Sequence, residues 1–515
     1  RTVDSIKIKE KIGIFGDYDV DGASSTALLG NFFSSIDVPY EIYIPDRKKE
    51  GYGPSIDAFK KLIKNGVKLI FTVDCGTLSF EAINFANENK IDVIVLDHHQ
   101  SEIKLPNAYS IVNPNRIDDN SKLNYLCAAG VTFMFLIALN KELRTTKWYF
   151  EKKIDEPNLI NYLDLVSLGT VCDVVPLIGL NRAIVRQGLK ILKTKRNLGL
   201  KTLIDVCRIE NHPNVYHLGY ILGPRINAGG RVGKSSHGAN LLLNNNPKEV
   251  FKIATELDQF NKERQYLEKD VLEKIEKEAH KKISDPVLII SGSNLHEGVI
   301  GIVASRIKDK FNKPVIIISV DGNIGKASAR SIVGFDIGSA IIAAAQEKIL
   351  VKGGGHKMAG GFSIKIENIE KFEKFIFRKF KNINEDLNKE KPLFFDSVIA
   401  PTAINLDFFE KINLLAPFGS GNPEPRFIIQ NLKPVNNKII KERHIKSVLV
   451  GQEGSIIKTI AFNSTENAIG AYLLNKGSKL FDIAGKLSLN EWKGQSNVEF
   501  IIDDISVNKT FKNTV

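Results

Sequence analysis

The 515-residue sequence predicts an α/β chain. A parallel-sheet domain is joined by a long helix to a second α/β domain, and a C-terminal β-barrel or sandwich follows. Three observations predict this. Over the first 115 residues short β-branched runs alternate with helical patterns, the grammar of a parallel sheet. Residues 248–285 contain neither Gly nor Pro. From residue 393 onward short strands with turn signals dominate.

Taken in order, residues 11–15 read as a strand, followed by a Gly/Asp loop and a helix from about Ala23. Residues 67–73 and 93–96 are further strands, each ending in an acidic cluster. Ligands of open α/β sheets bind beyond the carboxyl ends of the strands, which is where these clusters fall. Residues 120–245 are mainly helical. Val250, Ile253, Leu257 and Phe260 then recur at helical spacing before a densely charged stretch. This predicts one helix of about 35 residues, roughly 50 Å long at 1.5 Å per residue. Its polar second half suits a connector between domains better than a helical hairpin. Strand 286–291, helix 297–311, strand 314–320, Gly-rich 353–361 and helix 369–380 make the second α/β domain, and polar 382–391 reads as a linker. The expected domain limits are therefore 1–246, 247–285 (the connecting helix), 286–381 and 392–515. There is no internal repeat.

Hydrophobic residues at 43% and charged residues at 25% are globular values and exclude global disorder. The net charge of +12 favours a polyanionic partner, nucleic acid first. Lys outnumbers Arg 55 to 16, so each Arg is weighed individually as a specific contact. Cys75, Cys127, Cys172 and Cys207 are scattered without a CxxC pair. This argues against a zinc site or a disulfide framework and fits a reducing cytoplasm. No apolar run is long enough to span a membrane, and no signal peptide is visible. A start at Arg1 rather than Met suggests that the natural N-terminus lies further upstream.

The chemistry concentrates in Gly16-Asp17-Tyr18-Asp19-Val20-Asp21-Gly22. Carboxylates at alternating positions share a face, and such a cluster repels itself unless a cation binds. An EF-hand loop is excluded, because the twelfth position counted from Asp17 is Leu28, not Glu. Asp74 follows the second predicted strand, and Asp97-His98-His99 follows the third. Asp173, after the helical run 159–168, can close the set from another element. Carboxylates with imidazole suit manganese, or magnesium with fewer nitrogens. The set suffices for two divalent ions sharing a bridging Asp, the arrangement that stabilises both oxygens of a phosphoryl displacement. The residues alone thus point to a two-metal phosphoesterase on a parallel sheet. An anionic substrate is supported by Arg47, by Arg225 and Arg231 flanking a Gly/Asn/Ala loop, by Arg330 in Ala327-Ser328-Ala329-Arg330-Ser331, and by Gly353–Gly361 as a loop for close phosphate approach.

These residues resemble the DHH phosphoesterase superfamily. Asp97-His98-His99, the Asp-x-Asp-x-Asp-Gly loop, Asp74 and Asp173 carry the likeness. Gly355-His356-Lys357-Met358-Ala359-Gly360-Gly361 is similar to its DHHA1 companion domain. The segments 225–231, 296–304 and 417–425 narrow the resemblance to bacterial RecJ-type exonucleases, over residues 11 to 507. The resemblance implies degradation of single-stranded DNA from the 5′ end to mononucleotides, in DNA repair and recombination, in a bacterial cytoplasm at the nucleoid. It implies Asp19, Asp21, Asp74, His98 and Asp173 as ligands of two Mn²⁺ or Mg²⁺ ions, with Asp74 the bridge. Asp17 would be a ligand or a carboxylate just behind the ligands, and His99 would touch the scissile phosphate. Arg47, Arg225, Asn227, Arg231, Ser328, Arg330 and His356 would hold the strand's phosphates. The C-terminal domain would be an OB-fold, with Trp492 a base-stacking surface or barrel packing. A monomer is expected, with a RecQ-type helicase and a single-strand-binding protein as partners.

The sequence departs from the family pattern at Phe15, where many relatives carry His, which weakens the expected hold on one ion. Two rival functions are a phosphodiesterase for short oligonucleotides, cyclic dinucleotides or pyrophosphate, and an inert DNA-binding scaffold. The long connector and extra β-domain argue against the first, and the intact acidic set against the second.

Overall fold

The computed structural model describes residues 1–47, 49–210, 212–381, 392–474, 480–492 and 495–506, the side chains of 491–495 excepted. The predicted linker, 382–391, therefore lies outside the described residues. The chain forms two compact units, one of Arg1–Val175 with Gln187–Glu390, the other of Pro176–Arg186 with Lys391–Val515.

The first unit opens with five strands: β1 (Ile12–Gly16), β2 (Tyr40–Tyr43), β3 (Leu69–Val73), β4 (Asp92–Leu96) and β5 (Ser110–Val112). All pair in parallel, in the order β2-β1-β3-β4-β5. Every residue of β1 and β3 is buried, which is why these strands read as unbroken apolar runs. The predicted strands correspond to β1, β3 and β4. The edge strands β2 and β5 have no comparable signal, because β2 is only half-buried and β5 has three residues. Strand order reverses direction between β1 and β3, so their carboxyl ends form the crevice that open α/β sheets use for ligands.

The helix Val20–Ser35 begins before Ala23, because the side chain of Asp19 caps it by accepting from the backbone N–H of Asp21 (2.9 Å) and Gly22 (3.0 Å). The helices Ala128–Thr145 and Leu163–Cys172 pack against it. The long helix runs from Pro247 to Lys281 over 35 residues, with Asn246 as its cap and Pro247 in the first turn, where proline needs no N–H partner. Its polar second half still carries a buried stripe of Val271, Ile275 and Ala279. That stripe packs with Val299, Val303 and Ile307 of the helix Glu297–Phe311.

A second sheet contains β6 (Leu288–Ser293), β7 (Val315–Asp321), β8 (Ile324–Arg330), β9 (Lys352–His356) and β10 (Ala359–Lys365), in the order β6-β7-β8-β10-β9. The β6–β7 pair is parallel and the remaining pairs are antiparallel. The Gly-rich stretch 353–361 differs from the expected open phosphate loop, since it forms the β9–β10 hairpin. Close packing requires some of its glycines. A Cβ on Gly355 would lie 2.5 Å from the Ala359 carbonyl, and one on Gly338 of the helix Ile337–Gln346 would lie 2.7 Å from the Gly355 carbonyl carbon.

In the second unit β11 (Ser397–Val398) adjoins β12 (Phe427–Ile440), followed by β13 (His444–Val450), β14 (Ile456–Ala461), β15 (Phe481–Trp492) and β16 (Gln495–Ser506). The order β12-β13-β14-β16-β15 closes on itself through a β12–β15 pairing, a five-stranded barrel rather than a sandwich. Phe427, Ile429, Leu449, Ile483 and Phe500 fill it. Among the described residues no helix is long and apolar enough to cross a membrane.

Candidate metal centre

Three strand ends deliver the acidic groups. Asp17 follows β1, Asp74 follows β3 and Asp97 follows β4, while Asp21 sits in the first turn of the helix Val20–Ser35. Asp173 arrives from another element as the C-cap of the helix Leu163–Cys172. Asp74 holds a left-handed backbone conformation (φ 61°), uncommon for a residue with a Cβ and typical of functional sites. The next-but-one residue, Gly76, has φ 111° and admits no Cβ, which would meet Thr72 Oγ1.

His98 Nε2 lies 3.3 Å from Asp74 Oδ1, 3.6 Å from Asp173 Oδ2 and 3.9 Å from Asp21 Oδ2. Among the described residues three groups have ligand atoms within 4.8 Å of one another: Asp74, His98 and His99; Asp21, His98 and Asp173; Asp17, Asp19 and Asp74. Asp74 and His98 each belong to two of these groups. Asp21 is also a structural cap, since its carboxylate accepts from the N–H groups of Ala128 (2.6 Å) and Ala129 (2.9 Å) at a helix start.

The electrostatics fit cations. Burial, then Asp19, Asp21, Asp17 and Asp173, push Asp74 well above the usual carboxylate range. Burial and the neighbouring Asp21 and Asp19 raise Asp173 to about 8. Asp17 is raised by burial and by Asp19, and its Oδ1 is buried without a hydrogen-bond partner. Repulsive carboxylates, an orphaned carboxylate oxygen and an imidazole lowered by burial make a donor set that divalent ions would satisfy.

Asp97 does different work. Its Oδ1 accepts from the N–H of His98 (2.7 Å), the N–H of His99 (3.2 Å) and His99 Nδ1 (2.8 Å). Its Oδ2 accepts from Thr77 N–H (3.1 Å) and the Thr77 hydroxyl (2.6 Å). Burial would raise this carboxyl, but the bonds from His99 and Thr77 outweigh it and hold it well below the usual range. Burial would likewise lower His99, yet the Asp97 bond and charge push it up to about 9. Asn113 supports this corner by donating to Thr77 Oγ1 (2.9 Å) and to the His99 carbonyl (2.8 Å). Tyr52, between Gly51 and Gly53 at φ 83° and 82°, donates its hydroxyl to the Asp74 carbonyl at 3.0 Å. The sequence gives no periodic signal for Thr77, Asn113 or Tyr52, because each acts through a fold contact.

The structure separates the expected phosphate ligands into groups. Arg47 lies over the Tyr18 ring at 5.2 Å. Burial, with Arg47, Arg264 and Arg330 nearby, lowers Arg231 to about 10, so several guanidinium groups share one region. Arg330 donates to Ser328 Oγ at 3.2 Å, joining two of the expected residues. Asn227 accepts from the N–H of Val20 at 3.2 Å and so braces the acidic loop. Arg225 is occupied by Asp258 Oδ1 (2.9 Å) and the Ile221 carbonyl (2.8 Å). A cleft of about 790 Å³ runs from His98, His99 and Asn115 to Asp336, His356 and Lys357. Phe15 is fully buried, stacked on Tyr43 at 5.6 Å and edge-on to Phe59 at 6.1 Å, so it packs the sheet and offers no ligand atom. The side chain of Trp492 lies outside the described residues.

The DHH family N-terminal domain matches residues 11–170, the DHHA1 domain residues 284–382 and the RecJ OB domain residues 395–504. The single-stranded-DNA-specific exonuclease RecJ of Escherichia coli K12 is 35% identical over 96% of this chain and 87% of its own length. The chain belongs to the RecJ exonuclease family. The RecJ of Bacillus subtilis 168 is 33% identical over 99% of this chain, which spans 63% of that longer relative. The crystal structure of RecJ from Thermus thermophilus in complex with Mn²⁺ superposes with a TM-score of 0.81 at 27% identity, covering 99% of this chain and 71% of that one. The Mg²⁺ complex gives a TM-score of 0.75 at 26% identity, over 98% and 68% of the two chains.

Proposed function

We propose that the protein is a metal-dependent exonuclease that hydrolyses single-stranded DNA from the 5′ end to mononucleotides. The observation that carries the reading is the crowding of Asp21, Asp74 and Asp173 around His98, with Asp17 and Asp19 against Asp74, at the carboxyl ends of a parallel sheet. Similarity to RecJ enzymes along nearly the whole of this chain supplies the substrate class. Domain limits at 1–246, 286–381 and 392–515, with the long helix between the first two, are part of this reading.

Two divalent ions, Mn²⁺ or Mg²⁺, would be held by Asp19, Asp21, Asp74, His98 and Asp173, with Asp17 beside them. When bound, they supply Lewis acidity at the phosphodiester and lower the pKa of a water. The side chains do the rest. Asp97 fixes the imidazole of His99 through Nδ1, which leaves Nε2 to donate to a phosphate oxygen. The hydrogen bond to Asp97 and its charge favour the protonated imidazole. Arg47, Arg231 and the Ser328–Arg330 pair neutralise the incoming strand, and His356 faces the same cleft as His99. Arg225 and Asn227 position the helix that carries Arg231. The barrel would hold the strand during successive cleavages. A helicase and a single-strand-binding protein would be the partners that present the strand.

The test is digestion of a 3′-labelled single strand beside matched duplex, with Mn²⁺, Mg²⁺ or EDTA. Metal-dependent loss of mononucleotides from the 5′ end of the single strand alone is expected. Equal digestion of blunt duplex, or faster turnover of a dinucleotide than of long strands, would overturn the substrate assignment.

A further inference from the structure

The segment 417–425 is a sequence feature that the reaction leaves unused, and it binds the chain a few residues after a metal-centre residue. Asp173 is the C-cap of the helix Leu163–Cys172. After Val174 and Val175 the chain passes at Pro176 into the second unit, and at Arg186, within the helix Gly179–Lys193, it leaves that unit again.

Inside the second unit this short segment is clamped. The N–H of Leu177 donates to the Ser420 carbonyl at 2.6 Å, and Arg182 donates to the Leu415 carbonyl at 2.7 Å. Leu177 is buried. A Cβ on Gly419 would lie 2.7 Å from Leu177 Cδ1, and one on Gly421 would lie 2.8 Å from Pro176 Cβ, so loop and segment are in close contact. Gly421 has φ 69°, which glycine adopts without steric cost. Asn422 sets the shape of the loop. Its side-chain amide donates to the carbonyls of Leu415 (3.1 Å) and Pro417 (2.8 Å), and its backbone exchanges two bonds with Gly419.

Between Asp173 and the clamp stands Val174, with φ 59°. A left-handed residue commonly follows a helix C-cap, but it is usually Gly or Asn. A β-branched residue there is an outlier that costs about 1–2 kcal/mol. Such a conformation persists only where the surroundings impose it. Val174 is 69% exposed, so burial of its own side chain does not impose it. What fixes it is the helix Leu163–Cys172 on one side and the clamped Pro176 and Leu177 on the other.

We propose that the loop 417–425 positions Asp173. By clamping Pro176 and Leu177 it holds Val174 left-handed, and so keeps the Asp173 carboxylate in the metal centre. The inference rests on the reading of Asp173 as a metal ligand, and it gives the C-terminal unit a part in metal binding. Among the described residues Asp173 joins a single ligand group, with Asp21 and His98, so the loop should act on one of the two ions only.

The test uses the full chain and Mn²⁺ alone, with free Mn²⁺ read by electron paramagnetic resonance. N422A and G421A are each expected to weaken one Mn²⁺ ion about tenfold, the low end for residues that orient a metal ligand, and to leave the other unchanged. On a D173N background N422A should cause no further loss, because the coupling then has no ligand to act through. Adding V174G to N422A should restore part of the affinity, since glycine takes the left-handed conformation unaided. R182A, which removes one bond of the clamp, carries the same expectation if a loop variant fails to fold. Wild-type Mn²⁺ affinity in these variants overturns the proposal. Equal weakening of both ions, a further loss on D173N, or no recovery with V174G does so too. If the wild type binds no Mn²⁺, or D173N binds both ions as the wild type does, the reading of Asp173 as a ligand falls instead.

Discussion

Asp97→Asn keeps the shape of the most densely bonded carboxylate in the site and removes its charge. Asp97 is 1% exposed and accepts five hydrogen bonds, three on Oδ1 and two on Oδ2. An amide offers one acceptor oxygen. Whichever way it turns, its NH₂ faces a backbone N–H, either that of Thr77 or those of His98 and His99. A buried unsatisfied donor costs about 1–3 kcal/mol, and the bonds that survive lose their charge assistance. The folded state should therefore be destabilised by about 2–4 kcal/mol. The lowered pKa of Asp97 means that its stabilising contribution is present above the ordinary carboxylate range and is lost as pH falls through the folded value. For His99 the sign is opposite: the contribution is full below the ordinary histidine value and lost as pH rises through about 9. The advantage of wild type over D97N should therefore be full between the ordinary carboxylate and histidine values and shrink as pH rises from the ordinary histidine value to about 9. Because His99 loses the charge that favours its protonated form, and in one amide orientation also the acceptor that orients it, kcat on a single strand should fall about 100-fold at neutral pH, the low end for a positioned proton donor. The decline of activity with rising pH should also begin earlier in D97N. Steady-state digestion across pH, beside chemical denaturation, measures both effects. A D97N protein with wild-type kcat and an unshifted pH profile refutes the assigned role of Asp97.

Three other outcomes are expected. Asp74→Ala should abolish digestion and leave the circular dichroism spectrum unchanged, since Asp74 contributes to two ligand groups, and normal turnover would remove it from the metal centre. Gly22→Ala places a Cβ 2.5 Å from the Asp17 carbonyl oxygen, so the acidic loop must shift; the Mn²⁺ concentration for half-maximal activity should rise at least several-fold, and an unchanged titration would count against that geometry. Glu268→Gln removes the charge of a buried carboxylate that accepts from Arg264 at 2.6 Å and pairs with Arg306 at 2.5 Å, linking the long helix to the helix Glu297–Phe311. A loss of about 3 kcal/mol in urea denaturation is expected, and wild-type stability would show that the pair contributes nothing net.

Much of this molecule is legible along the chain because local forces dominate there. β1, β3 and β4 are buried on both faces, and burial needs uninterrupted apolar residues. The long helix is legible because neither glycine nor proline interrupts it. Asp17, Asp19, Asp21, Asp74, His98 and His99 were readable as chemistry because each follows a strand or opens a helix, and parallel topology gathers strand ends at one edge.

Other features needed the folded chain. Asp173 is an ordinary C-cap until the helix Leu163–Cys172 brings it 3.6 Å from His98. The sequence groups Arg225 with Arg231, but the fold binds Arg225 to Asp258 on the long helix. Gly353–Gly361 looks like a phosphate loop in sequence, and backbone packing makes it a hairpin. Residue order is enough to establish the buried strands, the long helix and the kinds of groups available for chemistry, since propensity and burial pattern act over a few residues. Which charges meet was settled by folding, because the energy of a carboxylate or guanidinium depends on neighbours within a few ångströms that lie up to a hundred residues or more away along the chain.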